Sequence, residues 1–259
     1  MSWRFIDTHC HFDFPPFEGD ETESLARAAR AGVERVIVPA VCASRFDDVL
    51  SLACQHPAIY AALGLHPVWV AQHDDAALAS LEQHLSQRPS GLVAIGEIGL
   101  DRYIPEPQFD RQMALLEAQL RLAKHYDLPV ILHSRRTHDP LAALLRRMAL
   151  PRAGVVHGFS GSLQQAQHFV SLGYRIGVGG TITYPRASKT RAVMAKLSLD
   201  ALLLETDAPD MPLNGWQGQP NRPERVTEVF RALCELRSES PRQIADALFE
   251  NASRLFALS

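Results

Sequence analysis

His9-Cys10-His11 follows a short apolar run, Arg4–Asp7, near the start of the chain. In extended backbone, side chains two residues apart share a face, so both imidazoles would point one way and Cys10 the other. Two imidazoles on a rigid strand suit zinc or another transition ion. Alone, the pair is equally two ordinary histidines of a core or a surface. Other apolar runs, however, also end on metal-capable groups: Gly64-Leu-His66-Pro67, Gly96-Glu97-Ile-Gly99, His133-Ser134, His157-Gly158 and Glu205-Thr-Asp207. Together, His9, His11, Glu97, His133, His157 and Asp207 make a metal centre the expected chemistry.

Glu97 and Asp207 are the catalytic candidates. Each oxygen of a carboxylate can ligate a separate cation, so Glu97 could bridge two; it could also be a salt bridge or a helix cap. Asp207 could ligate an ion and take a proton from a bound water. It could also be a helix N-cap, since Pro209 follows closely. Six mixed nitrogen and oxygen ligands exceed what one catalytic ion needs, so two divalent ions ~3.5–4 Å apart are expected. Such a pair clamps the attacking and leaving oxygens of a displacement. Hydrolysis then needs no covalent nucleophile.

These groups must be carried to one place. Short β-branched or apolar runs alternate with longer amphipathic stretches throughout. Strands are expected at 4–7, 33–40, 59–63, 92–98, 128–132, 154–156, 174–178 and 201–205. Helices are expected at 21–31, 44–55, 76–87, 108–126, 140–148, 163–172, 189–197, 223–235 and 241–257. Met113, Leu116, Leu120 and Ala123 recur at helical spacing, and Pro223 and Pro241 mark first turns. Eight strands each followed by helix is the count of an α/β fold of the (β/α)8 TIM-barrel type, at roughly 32 residues per unit. Barrel chemistry gathers at the C-terminal ends of the strands, where the metal-capable residues fall. An open doubly wound sheet would want a Gly-rich phosphate fingerprint after the first strand, and none is there. No low-complexity linker divides the chain, so residues 1–259 are expected to form one domain.

Composition narrows the class. The chain is 46% hydrophobic and 21% charged, which excludes wholesale disorder, collagen and coiled coil. A net charge of −3 excludes a generally basic nucleic-acid coat protein but leaves room for a local phosphate site. Cys10, Cys42, Cys54 and Cys234 include no C-x-x-C pair, which suits a reducing cytosol better than a disulfide framework. The stretch from Met1 to His9 is no signal peptide, and no run approaches the ~18 apolar residues of a membrane span. A soluble cytoplasmic protein is expected, with no membrane and no obligate protein partner.

The motifs Asp7-Thr-His-Cys-His11, Gly64-Leu-His-Pro67, Gly96-Glu-Ile-Gly-Leu-Asp101, Pro129-Val-Ile-Leu-His-Ser134, His157-Gly-Phe-Ser-Gly161 and Leu204-Glu-Thr-Asp-Ala-Pro209 occur in this order over nearly the whole chain. In them the sequence resembles the TatD family of metal-dependent hydrolases and deoxyribonucleases, within the amidohydrolase-like barrels. Asp210-Met-Pro-Leu and Gln219-Pro-Asn-Arg-Pro223 particularly resemble its YjjV branch. The resemblance implies that His9, His11, Glu97 and Asp207 hold a first ion, and Glu97, His133 and His157 a second. Many relatives have cysteine where Gly158 stands, and Ser134-Arg-Arg-Thr-His138 is more basic than the common Ser-Arg-Asp form. Both departures touch the substrate side.

For substrate, His66 is a candidate phosphate contact, with a structural hydrogen bond as its plain alternative. Arg135, Arg136 and Arg222 could grip anionic oxygen as rigid forks, although a solvated arginine or a salt-bridge partner is the plainer expectation for each. Arg102 and Tyr103 are candidate pocket-lining residues. Glu205, two residues from Asp207, shares its strand face and could hydrogen-bond a ligand histidine or equally be an inward-facing barrel carboxylate. His56, His73, His84, His125 and His168 are expected at the surface, and His138 is left open.

The leading expectation is a two-metal phosphoesterase acting on DNA ends, or on a small phosphoester, with Asp207 as base. The first alternative is a hydrolase of small amides, esters or lactones on the same barrel. The second is a non-catalytic metal-binding protein, disfavoured because structural zinc sites are closed by four ligands. Four histidines favour zinc or manganese over magnesium on softness, whereas the family's nucleases are associated with magnesium. An acidic chain without a basic stripe admits a frayed or single-stranded end more easily than a long duplex.

Overall fold

Eight short strands line up as one parallel sheet in the order of the chain, each followed by helix. They are β1 (Phe5–Asp7), β2 (Val33–Pro39), β3 (Ile59–Leu63), β4 (Leu92–Asp101), β5 (Val130–Arg135), β6 (Gly154–Val156), β7 (Arg175–Val178) and β8 (Leu202–Leu204). The helices are α1 (Glu21–Arg30), α2 (Phe46–Gln55), α3 (Asp75–Ser86), α4 (Phe109–Tyr126), α5 (His138–Met148), α6 (Leu163–Ser171), α7 (Ser188–Lys196), α8 (Val226–Leu236) and α9 (Pro241–Phe256). The structure is a computed structural model describing residues 3–258; Met1 and Ser2, where the signal-peptide reading begins, lie outside the described residues. No helix among the described residues is long and apolar enough to cross a membrane.

The ring closes beyond the formal strands. Thr8 N donates to Leu204 O at 3.0 Å, Asp207 N to His9 O at 2.8 Å and His11 N to Ala208 O at 2.7 Å. The seam between first and last strand is thus made by the residues that carry the candidate ligands. The expected (β/α)8 TIM barrel is the observed fold.

Inside the ring, Ile6, Ile37, Ala62, Ala94, Ile131, Val155 and Leu203, one from each strand but β7, form a single apolar layer. On β7 the place is taken by Gly177, where a Cβ would run into the Glu205 carboxylate. Ala252 and Phe256 of α9 pack onto this layer, so α9 plugs the N-terminal end of the barrel. Helix α9 starts where Ser240 and Gln243 form a capping box with Pro241 at the first turn, two orphan donors satisfied reciprocally. The larger core lies between strands and outer helices.

Alternation carries this layer up to the mouth. Counting by two from the layer leads from Ala62 to His66, from Ile131 to His133 and Arg135, from Val155 to His157, and from Leu203 to Glu205 and Asp207. On β4 the count breaks, because the pairing with β5 slips between Ile95 and Ile98. One extra residue there turns Glu97, Gly99 and Asp101 inward instead of their neighbours. The strand was expected to stop at Ile98. It continues to Asp101 because Gly99, at φ 152°, lets β4 press onto the backbone of His133, where any Cβ would collide. β5 likewise runs to Arg135 rather than Leu132. Pro223 begins a short 3-10 turn ahead of α8 rather than the helix itself.

Helix α4 braces two of these strand ends. Gln119 Oε1 accepts from Leu65 N at 2.8 Å, while Gln112 accepts from Asp101 N at 2.7 Å and donates to Asp101 O at 2.8 Å. Both glutamines are buried, and each pairs backbone groups that would otherwise be stranded.

Candidate metal centre

Glu97 stands at the middle of the mouth, buried, with its two oxygens serving different neighbours. Oε2 lies 3.2 Å from His9 Nε2 and 3.5 Å from His11 Nε2, which in turn lie 3.5 and 3.7 Å from Asp207 Oδ1. Oε1 lies 2.7 Å from His157 Nε2, 2.9 Å from His66 Nε2 and 3.1 Å from His133 Nδ1. The His9 and His157 rings stack at 3.8 Å, so the two sets share a wall.

The donor chemistry fits divalent cations. His9 and His11 aim Nε2 at Nε2 across 3.3 Å, and Glu97 Oε2 is buried without a hydrogen bond of good geometry. Four atoms with such separations surround a point about 2 Å from each, the length of an ordinary metal–nitrogen or metal–oxygen bond. Three overlapping groups could each hold an ion: His9, His11 and Asp207; His9, Glu97 and His157; and His66, Glu97 and His133.

The charges reflect this crowding. Burial pushes Glu97 upward, but the imidazoles of His66, His157 and His9 outweigh it and hold the carboxyl well below its usual range. Burial also opposes charge on His11 and His157, yet Glu97 and Asp207 draw protons onto them, to about 9 and about 10. His66, where desolvation wins, is lowered to about 4. Asp207 is raised, by burial first. The packed carboxylates thus favour positive charge at the centre.

Outer residues orient the inner ones. His133 Nε2 pairs with Asp101 Oδ2 at 2.8 Å, which leaves Nδ1 directed at Glu97. A carboxylate behind a histidine fixes its ring and raises its basicity. Asp7 is buried and accepts from Thr206 N at 2.9 Å, Thr206 Oγ1 at 2.5 Å and His9 N at 3.3 Å. Burial raises it to about 8 against those bonds. Neither aspartate received a role from sequence alone. Asp101 had a signal, since it lies at even spacing from Glu97 once the β4 slip is known; Asp7 had only its place before Thr8-His9.

All six expected ligands meet here, and His66, expected as a substrate contact, stands beside them with Nε2 2.9 Å from Glu97 Oε1. Glu205 faces the same way as Asp207, but its Oε1 accepts from Gly158 N at 2.5 Å and stays 3.9 Å from His157 Nδ1, beyond hydrogen-bond reach. Gly158 has φ 55°, and a Cβ there would meet open space. Arg222 lies elsewhere. It donates to Ser24 Oγ at 2.7 Å and to Glu224 at 3.0 Å, fastening its loop to α1. Tyr103 is exposed beside Arg135, and Arg102 covers Phe109. Three of the five histidines expected at the surface need correction. His73 is buried, with Nε2 2.9 Å from His66 O, and His84 is half-buried against Asp47. His56 is also half-buried, whereas His125 and His168 are exposed.

Two cavities open from the centre, both touching His133, His157 and Asp207. One, of about 460 Å³, has an apolar wall of Phe14, Pro15, Val41, Val68, Trp69 and Pro209. The other, of about 570 Å³, is lined by Ser134, Arg135, Gly158, Ser160, Gly180 and Thr181 among others. The apolar wall was not anticipated, because Phe14 sits in a turn and Trp69 in a short 3-10 helix (Pro67–Gln72), where no periodicity marks them.

Against known families, the TatD-related DNase model matches residues 6–257. The metal-dependent hydrolase YjjV of Escherichia coli K12 is 66% identical over 256 residues, covering 99% of each chain. A Rahnella protein named 3'-5' ssDNA/RNA exonuclease TatD is 34% identical over 251 residues, covering 94% of each. The crystal structure of the E. coli K12 TatD homologue YjjV superposes with a TM-score of 0.98 at 65% identity, covering all of both chains.

Proposed function

The chain belongs to the TatD family of metal-dependent hydrolases, and from that membership we propose a two-metal phosphoesterase that cleaves phosphodiester bonds at nucleic-acid ends, its residues 1–259 working as one domain. The observation that carries this reading is the division of labour on Glu97: one oxygen addresses His9 and His11, the other His133, His157 and His66. A carboxylate so shared is what a bridged pair of ions requires. The exonuclease name of the Rahnella relative supports the substrate class.

His9, His11 and Asp207 would hold one ion, His133 and His157 the other, with Glu97 between. When bound, the ions supply positive charge for phosphoryl oxygens and acidify a water. Asp207 takes the proton. Its side chain is 20% exposed, it borders both cavities, and its raised pKa makes it a better acceptor than a surface aspartate. Glu97 stays ionised and is committed on both oxygens, so it organises rather than transfers. Asp101 keeps His133 from turning away. His66, neutral and at the edge of the apolar cavity, is placed to meet a substrate oxygen.

A second reading, hydrolysis of small esters, amides or lactones, is favoured by the apolar wall of Phe14, Val68 and Trp69, which suits an uncharged leaving group as well as a nucleobase. Chelation followed by reconstitution with zinc, manganese or magnesium separates the two. Assayed on single-stranded DNA and RNA ends, phosphomonoesters, phosphodiesters, esters and amides, the metallated protein should cleave phosphodiesters fastest and lose that activity with chelator. Turnover of esters or amides alone would sink the phosphoesterase.

A further inference from the structure

We infer that Arg135, Arg136 and Tyr103 form a second anion subsite, which binds the phosphate neighbouring the one being cleaved. This rests on the phosphoesterase reading and names what that reading leaves open: the substrate carries at least two phosphates, and their chain leaves the centre over β4 and β5.

The side of departure follows from charge. The apolar cavity has no lysine or arginine among its lining residues. Its wall accepts a ring but offers a continuing polyanion no cation. The other cavity shares His133, His157, Asp207 and Asp210 with it, carries Glu205 as well, and is the one that adds an arginine, Arg135. Arg135 stands two residues beyond His133 on β5, on the same strand face and about 7 Å farther out.

The cations there are held but not neutralised. The guanidinium carbons of Arg135 and Arg136 lie 3.8 and 4.5 Å from the centre of the Tyr103 ring. Both arginines are exposed, and among the described residues neither has a carboxylate within ion-pair reach. Two like charges over one ring, within about 8 Å of each other, repel, and an anion between them relieves that repulsion while using both planar forks. The ring limits their freedom in advance, which lessens what ordering costs on binding.

The anchor of Tyr103 ties the subsite to the centre. Asp101 Oδ2 holds His133 Nε2, while its Oδ1 accepts from Tyr103 N at 2.6 Å. Arg102 N donates to Arg135 O at 3.0 Å. One aspartate therefore sets both a candidate ligand and the residue beneath the arginines. Arg136 has φ 59°, a left-handed conformation few arginines adopt, and it is what brings a second consecutive arginine to the same ring. Tyr103 is a positioning residue; the arginines touch the ligand.

The test compares a short single-stranded oligonucleotide with bis(p-nitrophenyl) phosphate, which has one phosphate only. In metal-loaded protein, R135Q/R136Q should lower the ratio of kcat/KM for the oligonucleotide over the monophosphate diester at least tenfold. Binding of a dye-labelled oligonucleotide to Asp207→Asn protein gives a readout independent of turnover. There, the slope of log Kd against log salt should shrink by about 0.7 for each phosphate that the arginines no longer neutralise. Y103L should weaken binding part of the way, and Y103F should restore it. Equal losses on both substrates, or an unmoved salt slope, would overturn the subsite. If wild-type protein cleaves no phosphodiester but the slope still depends on the arginines, the subsite stands and the phosphoesterase reading is what fails.

Discussion

The two ends of the barrel are built from the same strands by opposite rules. At the N-terminal end, Ile6, Ile37, Ile131 and Leu203 form one cluster with Phe256 of α9, and these side chains are all apolar and covered. At the C-terminal end, a few residues farther along the same strands, Glu97, His9, His11 and His157 are also buried, but they are ionisable groups packed against one another. Taking such groups out of water costs stability. The lower layer and its plug offset the cost. Conservative packing at one end permits strained electrostatics at the other, and substitutions should separate the two effects.

The largest effect is expected at the centre. Glu97→Gln removes the charge that both ligand sets share, and should lower kcat/KM by about a thousandfold or more while reducing bound metal, measured by elemental analysis, below two per chain. Retention of two ions with full activity would break the idea that this carboxylate joins the sets. At the other end, Phe256→Ala should cost about 3–5 kcal/mol of unfolding free energy in denaturant titrations. Metal content and kcat/KM should stay within about twofold where the variant is folded. A matching loss of activity would mean that the ends are not independent.

Between these extremes lies Asp101, which belongs to the mouth but touches no candidate ion position directly. Asp101→Asn should weaken metal affinity about 10- to 100-fold, as loss of an orienting partner does elsewhere, with little change in global stability. Competition with a coloured chelator measures it. An unchanged affinity would make the His133–Asp101 bond a bystander.

How legible each end was in the sequence follows from the same contrast. The strands and the helix plug could be read because burial imposes a period of two or of 3.6, and Ser240-Pro241 marks a helix start. The six candidate ligands were readable because they sit at strand ends in a spacing the barrel gathers. What could not be read depends on register. The slip in β4 that turns Glu97 and Asp101 inward leaves only glycines as a trace, and it hides Asp101 among ordinary loop acids. Arg222 was a candidate anion fork on its chemistry alone, with a solvated arginine or a salt-bridge partner as the plainer expectation, and only three-dimensional closure shows Ser24 and Glu224 taking its donors. Tyr103 was noticed for its place after the Glu97 motif, while its stacking with two arginines depends on β4 and β5 being neighbours.

The smallest effect sharpens where the functional end stops. His138 begins α5 at the mouth side, buried edge-on against Phe159 at 5.0 Å, with Nε2 lacking any partner among the described residues. It thus resembles the centre's histidines but has no carboxylate facing it. Burial lowers its pKa from 6.5, with Asp139 opposing. The sign follows from linkage: above about pH 6.5 the residue is neutral in both folded and unfolded chains, and below it the unfolded chain takes up the proton first. Its burial therefore lowers stability as pH falls through that range and leaves it unaffected above. His138→Phe keeps the ring contacts and removes the titration. The variant should match or slightly exceed wild type at pH 7.5, and should lose less stability than wild type on going to pH 5, by denaturant melts at each pH. A variant that instead lost metal or activity would place His138 with the centre, and the boundary between packing and chemistry would move one turn into α5.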